Sequence, residues 1–229
     1  MTGFDVIGLR TGRLRPLGPK GLPSGIRKAA VTGPVMARRT GLDGDEQGDR
    51  KHHGGPDKAI HAYPVQNYPL WTADLPDLAA QMAPGAFGEN LVVGGAVEAD
   101  MCLADQWRLG GALLEVSQSR QPCWRLNLRF DRPDMARRVQ ATGRTGWYFR
   151  VLEDGPIETG DRAQLLARPH PEWSLDRVWH LLYRNTQDRE ALAALAALPG
   201  LPDRWRSLAE ARLTSGRTED WQRRTETPQ

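Results

Sequence analysis

The chain has 229 residues and a mass of 25.5 kDa, with 39% hydrophobic and 26% charged side chains, which suits one sizeable core plus an appendage and argues against disorder. Its net charge of +3 and pI of 9.1 reflect an arginine-led excess without a run of five basic residues, so the composition does not call for nucleic acid as a partner. No apolar run reaches the roughly 18 to 20 residues of a membrane span, the first residues lack a secretory pattern, and the 2 cysteines are too few for a disulfide framework. A cytoplasmic protein without membrane contact is expected.

From Phe4 to about Arg168 the chain is punctuated by glycine and proline at short intervals. Between the breaks lie strand-like runs at Phe4–Leu9, Ile26–Val31, Ala59–Tyr63, Leu91–Val93, Gln106–Leu109, Ala112–Ser117, Trp147–Leu152 and Ala163–Leu166. Many short strands with turn signals predict a barrel or compact sheet assembly over residues 1–168 rather than a doubly wound sheet. Two helices are expected to interrupt it. One spans Asn67–Ala80, restricted by Pro69 and Pro76; the other spans Pro133–Gln140, with Asp131 as a candidate cap. After Pro169-His170-Pro171 the period becomes helical. Leu175, Val178, Trp179, Leu182 and Tyr183 follow Ser174, a good N-cap; Asp188–Leu198 carries Leu192 and Leu195 on one face; Trp205, Leu208, Ala209 and Leu213 give a third helix. Residues 169–229 are thus expected to form a small three-helix domain, with Arg217 to Gln229 as a loosely ordered tail that Trp221 could anchor. The fold class is β-rich α+β.

The chemical centre predicted from the residues is Cys123, within Ser117-Gln118-Ser119-Arg120-Gln121-Pro122-Cys123-Trp124-Arg125-Leu126-Asn127. Pro122 biases Gln121 to extended geometry, so the chain is expected to leave the preceding strand and present the cysteine at its end. Arg120 and Arg125 would favour the thiolate, the form that attacks a substrate or ligates a soft metal. The competing reading is a small buried residue, because cysteine is among the most buried types.

Lys51-His52-His53-Gly54-Gly55-Pro56-Asp57-Lys58-Ala59-Ile60-His61 holds three histidines among eleven positions. Glycines here let the backbone approach a ligand and expose amides suited to an anion. Adjacent His52 and His53 point apart in an extended segment and the i, i+4 pairing of helical zinc motifs is missing, so zinc is disfavoured. Gly41-Leu42-Asp43-Gly44-Asp45 lacks the rest of a calcium loop and reads as a tight turn. Glu89 and Asn90 follow a flexible glycine and could face a pocket, or simply turn into a strand. Lys28, Arg120, Arg125 and Arg144 each lie at the edge of a strand-like run; brought together they would cradle an anion, and singly they would be solvated surface.

The string SQSRQPCWRLN (Ser117 to Asn127) resembles the cysteine motif of MOSC domains, named for molybdenum cofactor sulfurase C-terminal domains, and specifically of their YiiM-like branch. GLDGDEQGDRKHHGGPDKAIHAYP (Gly41 to Pro64), GAFGENL (Gly85 to Leu91) and TGRTGWYFRV (Thr142 to Val151) follow the order of that family, and with the helical tail they cover most of the chain. The resemblance implies a barrel-like fold followed by three helices, and a molybdenum-pterin cofactor whose metal takes the thiolate of Cys123. It implies that Lys28, Lys51, Asn90, Arg120 and Arg125 hold the cofactor, with Lys58 as a further charge partner. His53 or His61 would deliver a proton or orient the substrate. Proteins of this kind reduce N-hydroxylated nucleobases and related N-oxygenated compounds, with electrons from a separate reductase. The chain has no haem, flavin or iron–sulfur motif of its own and would need such a partner. Trp124 departs from the smaller aromatic expected beside the cysteine. The alternatives are a cofactor carrier, a persulfide sulfur-transfer protein, or an interaction module working through the helical tail.

Overall fold

The computed structural model describes residues 2–49 and 54–228. Thirteen strands are described. They are β1 (Gly3–Thr11), β2 (Arg15–Leu17), β3 (Leu22–Ser24), β4 (Ala29–Ala30), β5 (Val35–Arg38), β6 (Gly41–Leu42), β7 (Ile60–Pro64), β8 (Leu91–Gly94), β9 (Gln106–Leu109), β10 (Ala112–Ser119), β11 (Trp147–Glu153), β12 (Gly155–Ile157) and β13 (Arg162–Ala167). Seven of them close on themselves in the order β13, β9, β10, β11, β7, β8, β1 and back to β13. Every pairing in the ring is antiparallel except β7 with β8, so the barrel is mixed. Closure leaves no exposed sheet edge in the ring.

Alternation dictates what faces inward. Trp107 and Leu109 of β9, Leu114 and Val116 of β10, and Trp147 and Phe149 of β11 are buried. On β1 the inward set is Phe4, Val6 and Leu9, and the change of phase falls where its register with β8 shifts between Val6 and Gly8. β7 and β8 are buried at every position because the second face is also covered. That cover is an aromatic cluster of Tyr63, Tyr68, Trp71, Phe87 and Phe130.

The helices are α1 (Asn67–Asp74), α2 (Arg125–Phe130), α3 (Met135–Thr142), α4 (Leu175–Tyr183), α5 (Arg189–Ala197), α6 (Asp203–Ser215) and α7 (Gln222–Thr225). The single helix expected over Asn67–Ala80 divides. Leu75, preceding Pro76, leaves the helical region at φ −137°, ψ 69°, and a 3-10 turn over Pro76–Gln81 follows. Asp131 is not the cap of the next helix: at φ 50° it ends α2, and α3 begins only at Met135 behind Asp134. Of the run Ile26–Val31, only Ala29–Ala30 pairs as a strand.

The C-terminal helices start where their caps predict. Ser174 Oγ accepts from the Arg177 amide at 3.2 Å and Asp188 Oδ1 from the Ala191 amide at 3.0 Å. Their buried face does not form a core of its own. Trp173, Val178, Leu182, Leu192, Leu195 and Trp205 are continuous with Phe4, Trp107 and Phe149 of the barrel. The segment expected to be a loose tail is ordered. It forms α7, buries Thr225, and sets Trp221 against Tyr183 with ring centroids 5.4 Å apart. Its polar composition hid this, because the holding contacts are backbone carbonyls. The Trp124 amide donates to the Arg224 carbonyl at 2.7 Å and the Asn127 side chain to the Thr225 carbonyl at 2.9 Å. No described helix is long and apolar enough to cross a membrane.

Candidate active site

The cysteine loop is aimed by an irregularity in β10. Pairing with β11 slips between Val116 and Gln118, after which Ser117, Gln118, Ser119 and Arg120 are all buried in succession. Such a bulge re-aims the end of a strand. The Arg120 amide then donates to the Gly146 carbonyl at 3.1 Å, and the Cys123 carbonyl accepts from the Leu126 amide at 2.9 Å, turning the chain into α2. The C-terminal segment clamps this loop from outside. The Arg224 guanidinium donates to the Pro122 carbonyl and to Gln140, and Gln121 donates to the Tyr183 hydroxyl at 2.7 Å.

Cys123 is only 6% exposed, yet its surroundings are not an apolar core. It lines a cavity together with Lys28, Asp45, Lys58, His61, Asn90, Arg120, Arg125 and Tyr148. The cavity and its open mouth enclose about 610 Å³ of empty space. The rim is formed where the segments around Gly25 and Gly48 cross. A Cβ on Gly25 would stand 1.9 Å from the Glu46 carbonyl, and one on Gly48 2.2 Å from that of Pro23. Only glycine permits that approach.

One wall is a hydrogen-bonded network. The Asp45 carboxylate accepts from the Gly12 amide at 2.8 Å, from Asn90 Nδ2 at 3.0 Å and from the Lys28 ammonium. The Lys28 and Asp45 side chains are 6% and 3% exposed, a buried ion pair that is costly to break from either side. Asn90 also donates to the Arg10 carbonyl at 3.2 Å and accepts from the His61 amide at 3.1 Å. Lys28 and Asn90 therefore line the cavity with their polar groups already engaged. His61 Nε2 lies 3.1 Å from the Thr145 carbonyl, so this nitrogen carries the proton. Burial first, and the Arg120 charge second, lower the His61 pKa to about 3. Its imidazole is neutral near pH 7. Burial likewise raises the phenol of Tyr148, whose ring centroid is 5.1 Å from that of His61.

Two guanidinium groups at the cavity are only partly satisfied. Among the described residues, Arg120 Nη1 and Arg125 Nη1 are buried without a hydrogen-bond partner. Arg125 lies 4.8 Å over the Trp124 ring, with Nη2 3.9 Å from Asp49. A buried donor left unpaired costs about 1–3 kcal/mol, more when charged. An anion in the cavity would remove that cost, so the residues present fit the phosphate of a pterin cofactor.

Cys123 faces a second cavity as well. Asp49, Lys58, Cys123 and Tyr148 line both, and the rest of the second is lined by Gln121, Trp124, Arg204, Arg223 and Arg224. Lys58, in the shared wall, has its pKa lowered to about 8, first by burial and then by the charge of Arg204.

Among the expected site residues, Cys123, His61, Lys28, Asn90, Arg120 and Arg125 thus meet at one cavity. His53 and Lys51 lie outside the described residues. Arg144 does not join the cradle: it pairs with Asp74 at 2.6 Å and packs 5.0 Å over the Trp71 ring. Cys102 and Cys123 are not bridged; Cys102 is buried with Sγ 3.5 Å from the Pro171 carbonyl. No three described His, Cys, Asp or Glu side chains are grouped as metal ligands. Sequence reasoning missed Asp45, treated as a turn residue, and Tyr148, which stood unremarked inside a quoted motif.

Comparison with known proteins agrees with this architecture. The MOSC domain profile matches residues 49–164, and the profile of the YiiM-like, 3-alpha helix domain matches residues 173–216. The chain is 36% identical to Protein YiiM of Escherichia coli, across 93% of this chain and 95% of that protein. It is 39% identical to a protein of Gibberella moniliformis named Reductase, across 90% of this chain and 37% of that longer protein. The crystal structure of YiiM from Escherichia coli superposes with a TM-score of 0.80 at 31% identity, covering 93% of this chain and 99% of that one. The cavity around Cys123 therefore sits in a barrel of known type, and the chain belongs to the MOSC family, in its YiiM-like branch.

Proposed function

We propose that this chain is a molybdenum cofactor-dependent reductase of N-hydroxylated nucleobases and related N-oxygenated compounds. The observation that carries the reading is a cysteine sharing a cavity with two buried guanidinium groups whose Nη1 atoms have no partner among the described residues. MOSC domains are generally associated with the molybdenum cofactor. A single cysteine is a poor holder of a bare metal ion but a suitable fourth hand for one already bound by a pterin's sulfurs. When bound, the cofactor supplies the two-electron chemistry that breaks the N–O bond.

In this reading Cys123 ligates the molybdenum, and Arg120 and Arg125 bind the pterin phosphate by charge-assisted hydrogen bonds. Lys28 holds Asp45, which with Asn90 braces the wall behind the cofactor. His61, neutral and donating to Thr145, orients rather than protonates. Lys58, which lines both cavities beside Cys123, is our choice for the proton donor. Electrons come from a separate donor protein. The fungal relative named Reductase supports the oxidoreductase class. The space on the far side of Cys123 favours turnover over a carrier role, since a carrier needs no room for a substrate there.

The test is metal and pterin analysis of the full chain purified from cells that make the cofactor, together with reduction of N6-hydroxyadenine by a chemical electron donor. The wild type should carry near-stoichiometric molybdenum and turn over, and Cys123→Ala should lose at least tenfold of the metal and all turnover. A wild type free of molybdenum, or a Cys123→Ala protein that keeps it, would sink the reading.

A further inference from the structure

The arginines of the C-terminal helices are almost all committed. Arg177, Arg184, Arg189 and Arg206 donate to backbone carbonyls of Glu172, Ala141, Leu213 and Ala196, Arg212 forks onto Glu219, and Arg224 holds Pro122 and Gln140. Arg204, in the first turn of α6, and Arg223, in α7, are different. Both are exposed, and among the described residues neither has a hydrogen-bond or ion-pair partner. They are 19 positions apart in sequence, on two helices, and both line the second cavity with Cys123. That cavity and its open mouth enclose about 820 Å³ of empty space. Its lining carries Lys58 and three arginines against the single carboxylate of Asp49, which already faces Arg125 at 3.9 Å. Trp124 adds an aromatic surface next to the cysteine.

A free base has nothing to offer two exposed cations. A phosphomonoester does, because guanidinium groups pair with phosphate oxygens in two-point fashion. The aromatic surface near the cysteine and the cations at the outer end match a molecule with a planar base at one end and a phosphate at the other. We propose that the second cavity takes the N-hydroxylated base as its 5′-nucleotide, with the phosphate held between Arg204 and Arg223 and the base stacked at Trp124 towards Cys123. This rests on the reductase reading above and narrows its substrate class. The barrel would hold the cofactor, and the helical appendage would select the substrate.

The test uses the full chain with adenine, adenosine and adenosine 5′-monophosphate as binding probes, followed by calorimetry, and the N6-hydroxy forms of base and nucleotide as substrates. The nucleotide should bind at least tenfold more tightly than the nucleoside, in a salt-dependent manner. Arg204→Gln with Arg223→Gln should abolish that advantage, Arg204→Lys with Arg223→Lys should restore part of it, and the ratio of kcat/KM for nucleotide over base should fall at least tenfold through KM. Equal binding of nucleotide and nucleoside, or a double variant that keeps the preference, overturns the inference. So does a double variant that changes only the KM for an electron-donor protein, which would assign the two cations to donor docking. If the nucleotide binds as described and the double variant loses it, but no N-hydroxylated compound is reduced, the site stands and the reductase reading falls.

Discussion

Two sets of buried or half-buried arginines differ in what answers their charge. Arg150 on β11 is saturated: it donates to Asp57, to Glu115 at 2.7 Å and to the Gly200 carbonyl at 2.7 Å, tying the loop before β7, strand β10 and the turn after α5 to one point. Arg168 is answered by the fully buried carboxylate of Asp105. Arg120 and Arg125 are just as enclosed, and among the described residues each retains an Nη1 without a partner. An orphaned donor is not by itself a ligand site, since Arg212 Nη1 in the helical appendage is orphaned too. What sets Arg120 and Arg125 apart is that both line one cavity with Cys123, where an anion would complete them.

The sharpest way to break that comparison is to remove the unpaired charges. Arg120→Met with Arg125→Met deletes two charge-assisted contacts to a bound phosphate, each worth about 1.5–3 kcal/mol. Cofactor retention should therefore fall by a factor of about 10² to 10⁴, read as molybdenum and pterin per chain after gel filtration. The melting temperature of the cofactor-free protein should change little, because two orphaned donors are removed against the loss of only the Arg120 contact to Tyr148 and the long Arg125 approach to Asp49 at 3.9 Å. A large loss of stability in the cofactor-free state would mean that these arginines are structural after all.

Arg150→Met should show the reverse pattern. It strands Glu115 and the more exposed Asp57, and losing one side of a partly buried ion-pair network costs about 1–3 kcal/mol. For a chain of this size that corresponds to a drop in melting temperature of roughly 2–12 °C, measurable by calorimetry. The folded fraction should still bind cofactor. Unaltered stability would show that the network is ornamental and that counting partners does not separate the two sets.

Why sequence alone separated them incompletely is visible at Arg144. Arg144 and Arg120 both flank strand-like runs, and nothing local distinguishes them. The difference is Asp74, 70 residues away, which reaches Arg144 and reaches nothing at the cavity. Asp45 was misjudged for the same reason: its turn composition was plain, while its partners Gly12, Lys28 and Asn90 are brought to it only by barrel closure. What sequence did carry was whatever depends on period and caps. The alternation of β9, β10 and β11 was legible, as were Ser174 and Asp188 ahead of α4 and α5. The strands β2 and β3, each with a proline, and the ordered C-terminal segment were not, since they are fixed by backbone pairing and by docking on the cysteine loop. Arg204 and Arg223 went unnoticed within helices read only for their apolar stripe.

His61 gives the finest form of the comparison, because burial beside the Arg120 charge makes its imidazole neutral. The folded pKa of about 3 lies below the ordinary 6.5, so between these values the unfolded chain binds the proton first. The stability that this group contributes is complete above pH 6.5 and is lost as the solution is acidified towards pH 3. At pH 5 the loss amounts to about 2 kcal/mol, from 1.36 kcal/mol for each pH unit. Glu89 and Glu98, raised by burial, act in the opposite sense, since the folded chain takes up their protons early and gains stability on acidification. Wild type alone would therefore mix the three. The difference between wild type and His61→Gln isolates the histidine, because the glutamine has no titration and can still donate to the Thr145 carbonyl. Denaturant unfolding from pH 7 to pH 5 should show the wild type losing about 2 kcal/mol relative to the variant. Parallel curves would mean that the folded chain takes up the His61 proton as readily as the unfolded one, and the lowered pKa assigned to an imidazole buried beside the Arg120 charge would then fail.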